Sequence, residues 1–242
     1  MNISANSLFH FTPREEFLRS ILEKGFLPRY CLESNFIMID ESKRWAIPMV
    51  CFCDIPLSNI KDHVSKYGTY GIGMTKEWGI KNGLSPILYT TKNSLLSNSL
   101  KHQRKIIVQS IENHEDISEI YDRSIYTTFF IKEYEGYQNK GDKFKKPIRF
   151  YDEREWRYVP SIMEFKENTH IPMISNEIFD NKTKLEQFNE KLSKTCSLNF
   201  EPSDIRYIIL PEENQIPKFI EENNIGNISN RVLSLEQIFS DF

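Results

Sequence analysis

Near the N-terminus, residues 7–25 read SLFHFTPREEFLRSILEKG. The aromatic run Ser7 to Thr12 is typical of a short β-strand, and Thr12 followed by Pro13 predicts the cap and the first position of a helix. Apolar residues then recur on one helical face, and Gly25 predicts the end of that helix. The sequence therefore predicts a strand, a tight turn and a helix in quick succession.

Strand and helix patterns continue to mix along the rest of the chain. Met49 to Cys53, Ile148 to Val159 and Ile205 to Leu210 predict further strands, whereas the apolar spacing from about residue 94 to 134 is helical. We therefore predict a single α+β domain over residues 1–242, built as a split mixed β-sheet flanked by helices, with a helical insertion at about residues 94–134. The predicted strand Tyr70 to Thr75 carries two glycines, which weaken a strand unless another group, such as a ligand, approaches its backbone closely.

Composition excludes several classes of protein. The chain has 242 residues, of which 39% are hydrophobic and 27% charged, as in an ordinary globular protein. Its 31 basic residues nearly balance 34 acidic ones, and a net charge of −3 gives no overall attraction to nucleic acid or to an anionic membrane. Apolar runs fall far short of the roughly 18–20 residues of a membrane span, and the N-terminus lacks the features of an export signal. We expect a cytoplasmic protein with no membrane association.

The four cysteines are expected to be reduced thiols: Cys31, Cys51, Cys53 and Cys196. Cys51 and Cys53 would share one face of a strand and, with His63, could form part of a zinc site. No second Cys/His pair follows at the spacing of metal ligands, so the sequence predicts no metal.

Two carboxylates two residues apart are the first candidates for catalysis. On a strand, Glu153 and Glu155 would share a face, where their like charges repel. A solvated edge strand neutralised by Arg157 would explain them, but Trp156 and Tyr158 indicate a strand that is packed on at least one side. We therefore expect one of the two carboxyl groups to have a raised pKa.

Two histidines accompany these carboxylates. His10 lies on the first predicted strand and points away from the face that carries Phe9 and Phe11, where a lone histidine is more often structural than functional. His63 would share a face of a short helix with Tyr67. It could line the same pocket, although a surface position explains it equally well.

A basic segment immediately precedes the carboxylates. Residues 131–150 hold six basic residues against three acidic ones, with four aromatic residues between them. Charge combined with stackable rings is used to bind single-stranded nucleic acid, although a solvated loop is the simpler explanation. The segment favours RNA or DNA over protein as the macromolecule on which this protein acts. Within it, residues 136–146 are predicted to form a mobile loop over the site.

Five motifs within about residues 7–160 resemble the AbiGi type of abortive phage-infection protein and related families with the ADP-ribosyltransferase fold. In those transferases, a histidine on the first strand, an aromatic or hydroxyl residue in mid-chain and a glutamate on a late strand build an NAD pocket. The motifs are Leu8-Phe9-His10-Phe11-Thr12, Ile21-Leu22-Glu23-Lys24-Gly25-Phe26, Val50-Cys51-Phe52-Cys53-Asp54-Ile55-Pro56, Tyr67-Gly68-Thr69-Tyr70-Gly71-Ile72-Gly73 and Glu153-Arg154-Glu155-Trp156-Arg157.

The resemblance implies catalytic roles for three residues. Cleavage of the nicotinamide bond of NAD develops positive charge on the ribose, and a carboxylate beside it, here Glu155, stabilises that charge. Glu153 would orient or deprotonate the acceptor. His10 would bind a ribose hydroxyl and keep the dinucleotide bent.

The resemblance also implies a set of NAD-binding residues around His10. Phe11 and Thr12 lie beside it on the same strand. Either Tyr67 or Tyr70 would stack on nicotinamide, and the sequence does not choose between them. Arg157 and Arg14 could neutralise the pyrophosphate, although ion pairs with Glu153 or Glu15 explain them more simply.

These residues predict an NAD-dependent mono-ADP-ribosyltransferase, the toxic effector of a bacterial phage-defence or toxin–antitoxin system. Such an activity requires a restraining antitoxin partner, of which a chaperone-dependent antitoxin is one form. Two alternatives stay open. The AbiGi label is associated with an antitoxin role, which predicts a non-catalytic interaction module, and His10, His63 and Glu155 could serve as the acid and base of a metal-independent RNase.

Overall fold

A computed structural model describes residues 4–33, 44–113, 116–136 and 147–241. The strands are β1 (Ser7–Thr12), β2 (Arg29–Glu33), β3 (Trp45–Cys53), β4 (Tyr70–Thr75), β5 (Ser85–Pro86), β6 (Leu88–Thr90), β7 (Ile131–Glu133), β8 (Glu135–Gly136), β9 (Ile148–Arg149), β10 (Glu155–Tyr158), β11 (Ile174–Ser175), β12 (Ile205–Leu210) and β13 (Val232–Ser234). The helices are α1 (Glu15–Lys24), α2 (Lys61–Tyr67), α3 (Lys76–Lys81), α4 (Leu95–Glu112), α5 (Ser118–Thr128), α6 (Ile162–Glu167), α7 (Asn176–Asp180), α8 (Lys182–Ser193), α9 (Ile216–Glu222) and α10 (Leu235–Asp241).

The main sheet is mixed, in the strand order β13-β12-β4-β1-β3-β10-β5. β12 and β13 are parallel, and the other pairs along this path are antiparallel. The first half of β3 pairs with β2 and β11, while its second half pairs with β1 and β10. Small separate sheets are formed by β6 with β7 and by β8 with β9. The α+β class and the mixed sheet are confirmed.

Alternation along β1 places the two faces of this sheet against different helices. Leu8 packs in a core cluster with residues of α1, α3 and α9. Phe9 and Phe11 pack on the opposite face with residues of α2 and α10. His10 therefore lies on the face covered by α1, where its ring contacts those of Phe26 and Phe52.

The two glycines of β4 make room for neighbouring aromatic rings. A Cβ atom on Gly71 would lie 2.7 Å from the ring of Phe11, and one on Gly73 would lie 2.7 Å from the ring of Phe9. The close approach that these glycines indicate is thus made by side chains of β1, so no ligand is needed to explain it.

Two predicted boundaries are wrong. α1 begins at Glu15 with Arg14 at the cap position, and the hydroxyl of Thr12 donates to the carbonyl of Arg14 at 3.1 Å. Residues 148–159 are not one strand, because a 3₁₀ turn over Phe150–Glu153 and a left-handed Arg154 at φ 44° separate β9 from β10.

The predicted helical insertion corresponds to α4 and α5, with β7 at its C-terminal end. Most of the predicted mobile loop, residues 137–146, lies outside the described residues. None of the described helices is long and apolar enough to cross a membrane.

Candidate functional site

A cleft of about 860 Å³ opens over the end of β1 that carries His10. This volume is within the usual range for small-molecule sites. One wall is apolar and aromatic, and it is formed by residues of α1, the loop after it and β3. The polar side chains that line the cleft are His10, Thr12, Arg14, Ser20, Arg29, Glu33, His63, Tyr67, Lys132, Glu153 and Glu155.

The predicted pair of carboxylates meets in this cleft, bridged by a lysine. Lys132 Nζ lies 3.0 Å from Glu153 Oε2 and 2.9 Å from Glu155 Oε2. The hydroxyl of Tyr67 donates to Glu153 Oε1 at 2.8 Å. Both carboxylates are buried, although Glu153 ends the 3₁₀ turn and only Glu155 belongs to a strand. The shared site therefore depends on Lys132 rather than on a common strand face.

Arg157 holds the other oxygen of Glu155. Its Nε donates to Glu155 Oε1 at 2.5 Å, and its Nη1 donates to the carbonyl of Phe129 at 2.7 Å. Its Nη2 forms an ion pair with Glu33 at 3.1 Å, without the alignment of a hydrogen bond. Arg157 is 1% exposed and is absent from the cleft lining. The prediction that it binds the pyrophosphate of NAD is therefore wrong, because its donors are directed at protein oxygens behind the cleft.

Glu155 and Lys132 each favour the charged form of the other. Burial by itself raises the pKa of Glu155, but Arg157 and Lys132 outweigh burial and hold that pKa well below its usual range. Burial by itself lowers the pKa of Lys132, and Glu155, Glu33 and Glu153 together raise it. The expectation of a raised carboxyl pKa is therefore wrong for Glu155, which is ionised beside a charged lysine.

His10 is held by the backbone of β3. Its Nδ1 lies 2.8 Å from the carbonyl oxygen of Cys51, so this nitrogen carries the proton of the neutral ring and leaves Nε2 as an acceptor. Burial lowers the pKa of His10, and the bond to Cys51 only partly opposes that effect. A neutral imidazole at this position can accept a hydrogen bond from a ligand hydroxyl.

The structure chooses Tyr67 over Tyr70 as the cleft tyrosine. The Tyr67 ring packs against that of His63 at 4.4 Å, and both residues line the cleft, as does Phe11. Burial, with help from Lys66, lowers the pKa of His63 to about 4. Tyr70 packs on the core cluster that contains α1 and α9 and is absent from the cleft lining. The proposed role of Tyr70 in stacking on nicotinamide is therefore wrong.

Lys132 is the site residue that sequence reasoning missed. It was one cation of a basic segment, and nothing in its local spacing distinguishes it from the lysines that follow. It reaches the carboxylates because β7 pairs with β6 beside the main sheet, an arrangement that no local pattern predicts. The described residues include no group of three His, Cys, Asp or Glu side chains that could hold a metal ion, and the four cysteines are free thiols.

Comparisons with known proteins agree on one family. The family model described as "Putative abortive phage resistance protein AbiGi, antitoxin" matches residues 24–211. A protein of Lactococcus lactis subsp. cremoris, named abortive phage resistance protein AbiGi, is 31% identical over 208 residues, which cover 77% of this chain and 82% of the relative. No solved structure matches the chain.

Proposed function

We propose that this chain, which belongs to the AbiGi family of abortive phage resistance proteins, is the antitoxin of a phage-defence system and restrains a toxin partner. One observation on the cleft supports this reading. Each oxygen of the carboxylate pair already accepts from a protein donor: Tyr67 and Lys132 hold Glu153, and Arg157 and Lys132 hold Glu155.

This arrangement favours binding over catalysis for an electrostatic reason. A carboxylate stabilises a positively charged transition state by the negative charge that it places beside the reacting atom. Here Lys132 and Arg157 pair with Glu153 and Glu155, which weakens the negative charge that either carboxylate offers to a reacting atom. Removing one partner from a buried ion pair costs about 3–5 kcal/mol, so these side chains depend on one another within the fold.

A growth assay tests the antitoxin function. Each gene product of the chain's native locus is expressed alone in a bacterial host, and those that arrest growth are expressed again with this chain. We expect wild-type chain to be harmless alone and to relieve the arrest caused by one of them. We expect Glu155→Gln to relieve it equally at matched soluble level. Arrest by the wild-type chain itself, relieved by Glu155→Gln, would contradict the proposal.

A specific observation also supports a second candidate, the NAD-dependent mono-ADP-ribosyltransferase. His10, Tyr67, Glu153 and Glu155 line one cleft that is large enough for a folded dinucleotide. Arg14 and Arg29 line the same cleft and offer guanidinium groups to a pyrophosphate in place of Arg157. In this reading a ligand hydroxyl would add to the hydrogen bonds that Glu155 accepts, and a macromolecule such as RNA would be the acceptor.

Incubation with labelled NAD and whole-cell RNA, DNA or protein tests this second candidate. A transferase adds label that is lost in Glu155→Gln and retained in Asp152→Asn, a matched change at a neighbouring exposed carboxylate. Absence of transfer from all variants removes the transferase. Shortening of RNA without NAD would instead favour the RNase that uses His10, His63 and Glu155.

A further inference from the structure

We propose that the inner end of the cleft binds a small organic cation, a primary ammonium group carried by an aromatic or other apolar body. The inner end is defined by four charged residues of the cleft lining and by Arg157 behind them; the four are Glu33, Lys132, Glu153 and Glu155. This inference goes beyond both candidate functions and depends on neither, because a bound ligand is compatible with restraint of a toxin as well as with catalysis.

The first argument is the charge balance of the inner end, where three carboxylates meet two cations. Lys132 pairs with Glu153 and Glu155. Arg157 pairs with Glu155 and, at 3.1 Å, with Glu33. With each group in its usual charged form, one negative charge is left over among these described residues. Because Glu153, Glu155 and Arg157 are buried, water screens this charge only in part, and a positively charged ligand would balance it.

Glu33 is the carboxylate that the protein satisfies least. Glu153 and Glu155 accept a hydrogen bond at each of their oxygens. By contrast, Arg157 Nη2 faces Glu33 Oε2 without the alignment of a hydrogen bond. The Glu33 carboxylate makes no further hydrogen bond or ion pair within the described part of the chain, although its side chain is only 19% exposed. Polar groups removed from water normally have a hydrogen-bond partner, and a ligand N–H group would supply it.

The neighbouring polar groups also offer acceptors to a ligand rather than donors. His10 Nδ1 uses its proton in the bond to the carbonyl of Cys51, which leaves Nε2 as an acceptor. The hydroxyl of Tyr67 is already donated to Glu153, and Lys132 donates to both carboxylates that it bridges. The complementary ligand group therefore carries N–H donors and a positive charge, and is not a carboxylate or a phosphate.

The wall around the inner end suits the body of such a ligand. Phe26 and Phe52 line the cleft beside His10, and their ring centroids lie 5.5 and 5.6 Å from that of the His10 ring. Aromatic rings attract cations through their negative faces, and an apolar wall favours an apolar ligand body. The wall and the surplus charge therefore select for the same class of ligand.

Two arginines in the cleft lining do not cancel the surplus charge. The side chains of Arg14 and Arg29 are both exposed to solvent. Arg29 forms an ion pair with Glu186 at 2.7 Å, and the guanidinium of Arg14 stacks on the ring of Phe17, 4.2 Å from its centroid. Exposed charges are screened by salt over about 10 Å, whereas buried charges are screened much less. The buried network therefore decides which charge the inner end prefers.

Calorimetric titration of the full-length protein with three matched probes tests the proposal. Phenethylamine, phenethyl alcohol and phenylacetate share an aromatic body and are positive, neutral and negative at neutral pH. We expect the amine to bind at least about tenfold more tightly than the alcohol, since hydrogen bonds between charged groups are the stronger ones, and phenylacetate not to bind. Glu33→Gln should weaken amine binding by about tenfold and leave alcohol binding unchanged. Glu16→Gln, at an exposed carboxylate outside the cleft lining, should bind the amine like wild type.

The probe comparison uses the wild-type chain and does not depend on the variant. Equal affinity for the three probes, absence of amine binding, or tightest binding of phenylacetate would overturn the proposal. Wild-type amine affinity in a folded Glu33→Gln would also overturn it, and thermal unfolding shows whether that variant is folded. If it is not, proton NMR of the wild type locates the amine: the His10 ring resonances should shift on titration, and unchanged resonances contradict the site. None of these results alters the growth assay, so the antitoxin function is tested separately.

Discussion

The ammonium group of Lys132 lies within 3.0 Å of two buried carboxylates and 4.9 Å from the centroid of the Phe150 ring. Two negative groups would not be tolerated so close together in a buried site without this cation. At the scale of single residues, Lys132 is therefore the cation that allows Glu153 and Glu155 to share the cleft.

Replacing this cation should be costly. We expect Lys132→Met to lower the free energy of unfolding by about 3–5 kcal/mol, because it leaves two buried carboxylates with one fewer positive partner. Chemical denaturation measures the change, with the exposed Lys81→Met as a control that should stay within about 0.5 kcal/mol of wild type. Adding Glu153→Gln to Lys132→Met should recover part of the loss. Equal stability of Lys132→Met and wild type would show that the bridge contributes nothing.

His63 gives the cleft a dependence on pH. Its pKa is lowered to about 4 by burial and by Lys66, whereas an unfolded histidine titrates near 6.5. The unfolded state thus binds more protons between these values, so stability is complete above pH 6.5 and is lost as the pH falls toward 4. Between pH 6.5 and pH 4, we expect the free energy of unfolding to fall by roughly 1–3 kcal/mol less in His63→Gln than in the wild type. Proton NMR should show a His63 midpoint near 4; a midpoint near 6.5 would contradict the assignment.

At the scale of elements, β1 and the glycines of β4 depend on each other. We expect Gly71→Ala to destabilise the fold by about 1–3 kcal/mol, because its new methyl group would overlap the ring of Phe11. Gly226→Ala is the matched control, since a Cβ atom there has no neighbour within 4 Å among the described residues. Thermal unfolding of both variants measures the difference, and equal midpoints would mean that the ring of Phe11 moves aside without cost.

Local patterns predicted those elements whose signals are local. The β1–α1 unit, the strand that ends at Cys53 and β12 are all present, because alternation, helical periodicity and Gly25 are properties of short segments. The break between β9 and β10 was missed because Arg154 adopts a left-handed conformation, which its residue type does not indicate. The sequence analysis paired Glu153 with Glu155 because residues two apart share one face of a strand. In the structure the two carboxylates meet because Lys132 bridges them.

The site was predicted in part for the same reason. Glu153 and Glu155 were identified by residue type and spacing, and His10 and Tyr67 by the family resemblance; all four line one cleft. Lys132 and the burial of Arg157 were not, because both depend on how β6, β7 and β10 are arranged in space. A charged residue that neutralises a site from a distant part of the chain produces no pattern in the sequence around that site.

At the scale of the whole molecule, the family match at residues 24–211 omits the strand at the centre of the sheet. β1 lies between β3 and β4 and pairs with β4 along its whole length, from Ser7 opposite Thr75 to Thr12 opposite Tyr70. It also carries His10 into the cleft. At the other end, β13 pairs with β12, and Ile238 of α10 packs against Phe9 and Phe11.

The matched segment alone should therefore not fold. We expect a fragment of residues 24–211 to lack a cooperative thermal transition, because β3 and β4 would each expose an unpaired edge and the aromatic cluster around Phe9 would lose its centre. Circular dichroism during heating measures this, with a fragment of residues 4–242 as the control that should unfold like the full chain. A cooperative transition in the 24–211 fragment would show that the sheet closes without β1, and the cleft would then have to form without His10.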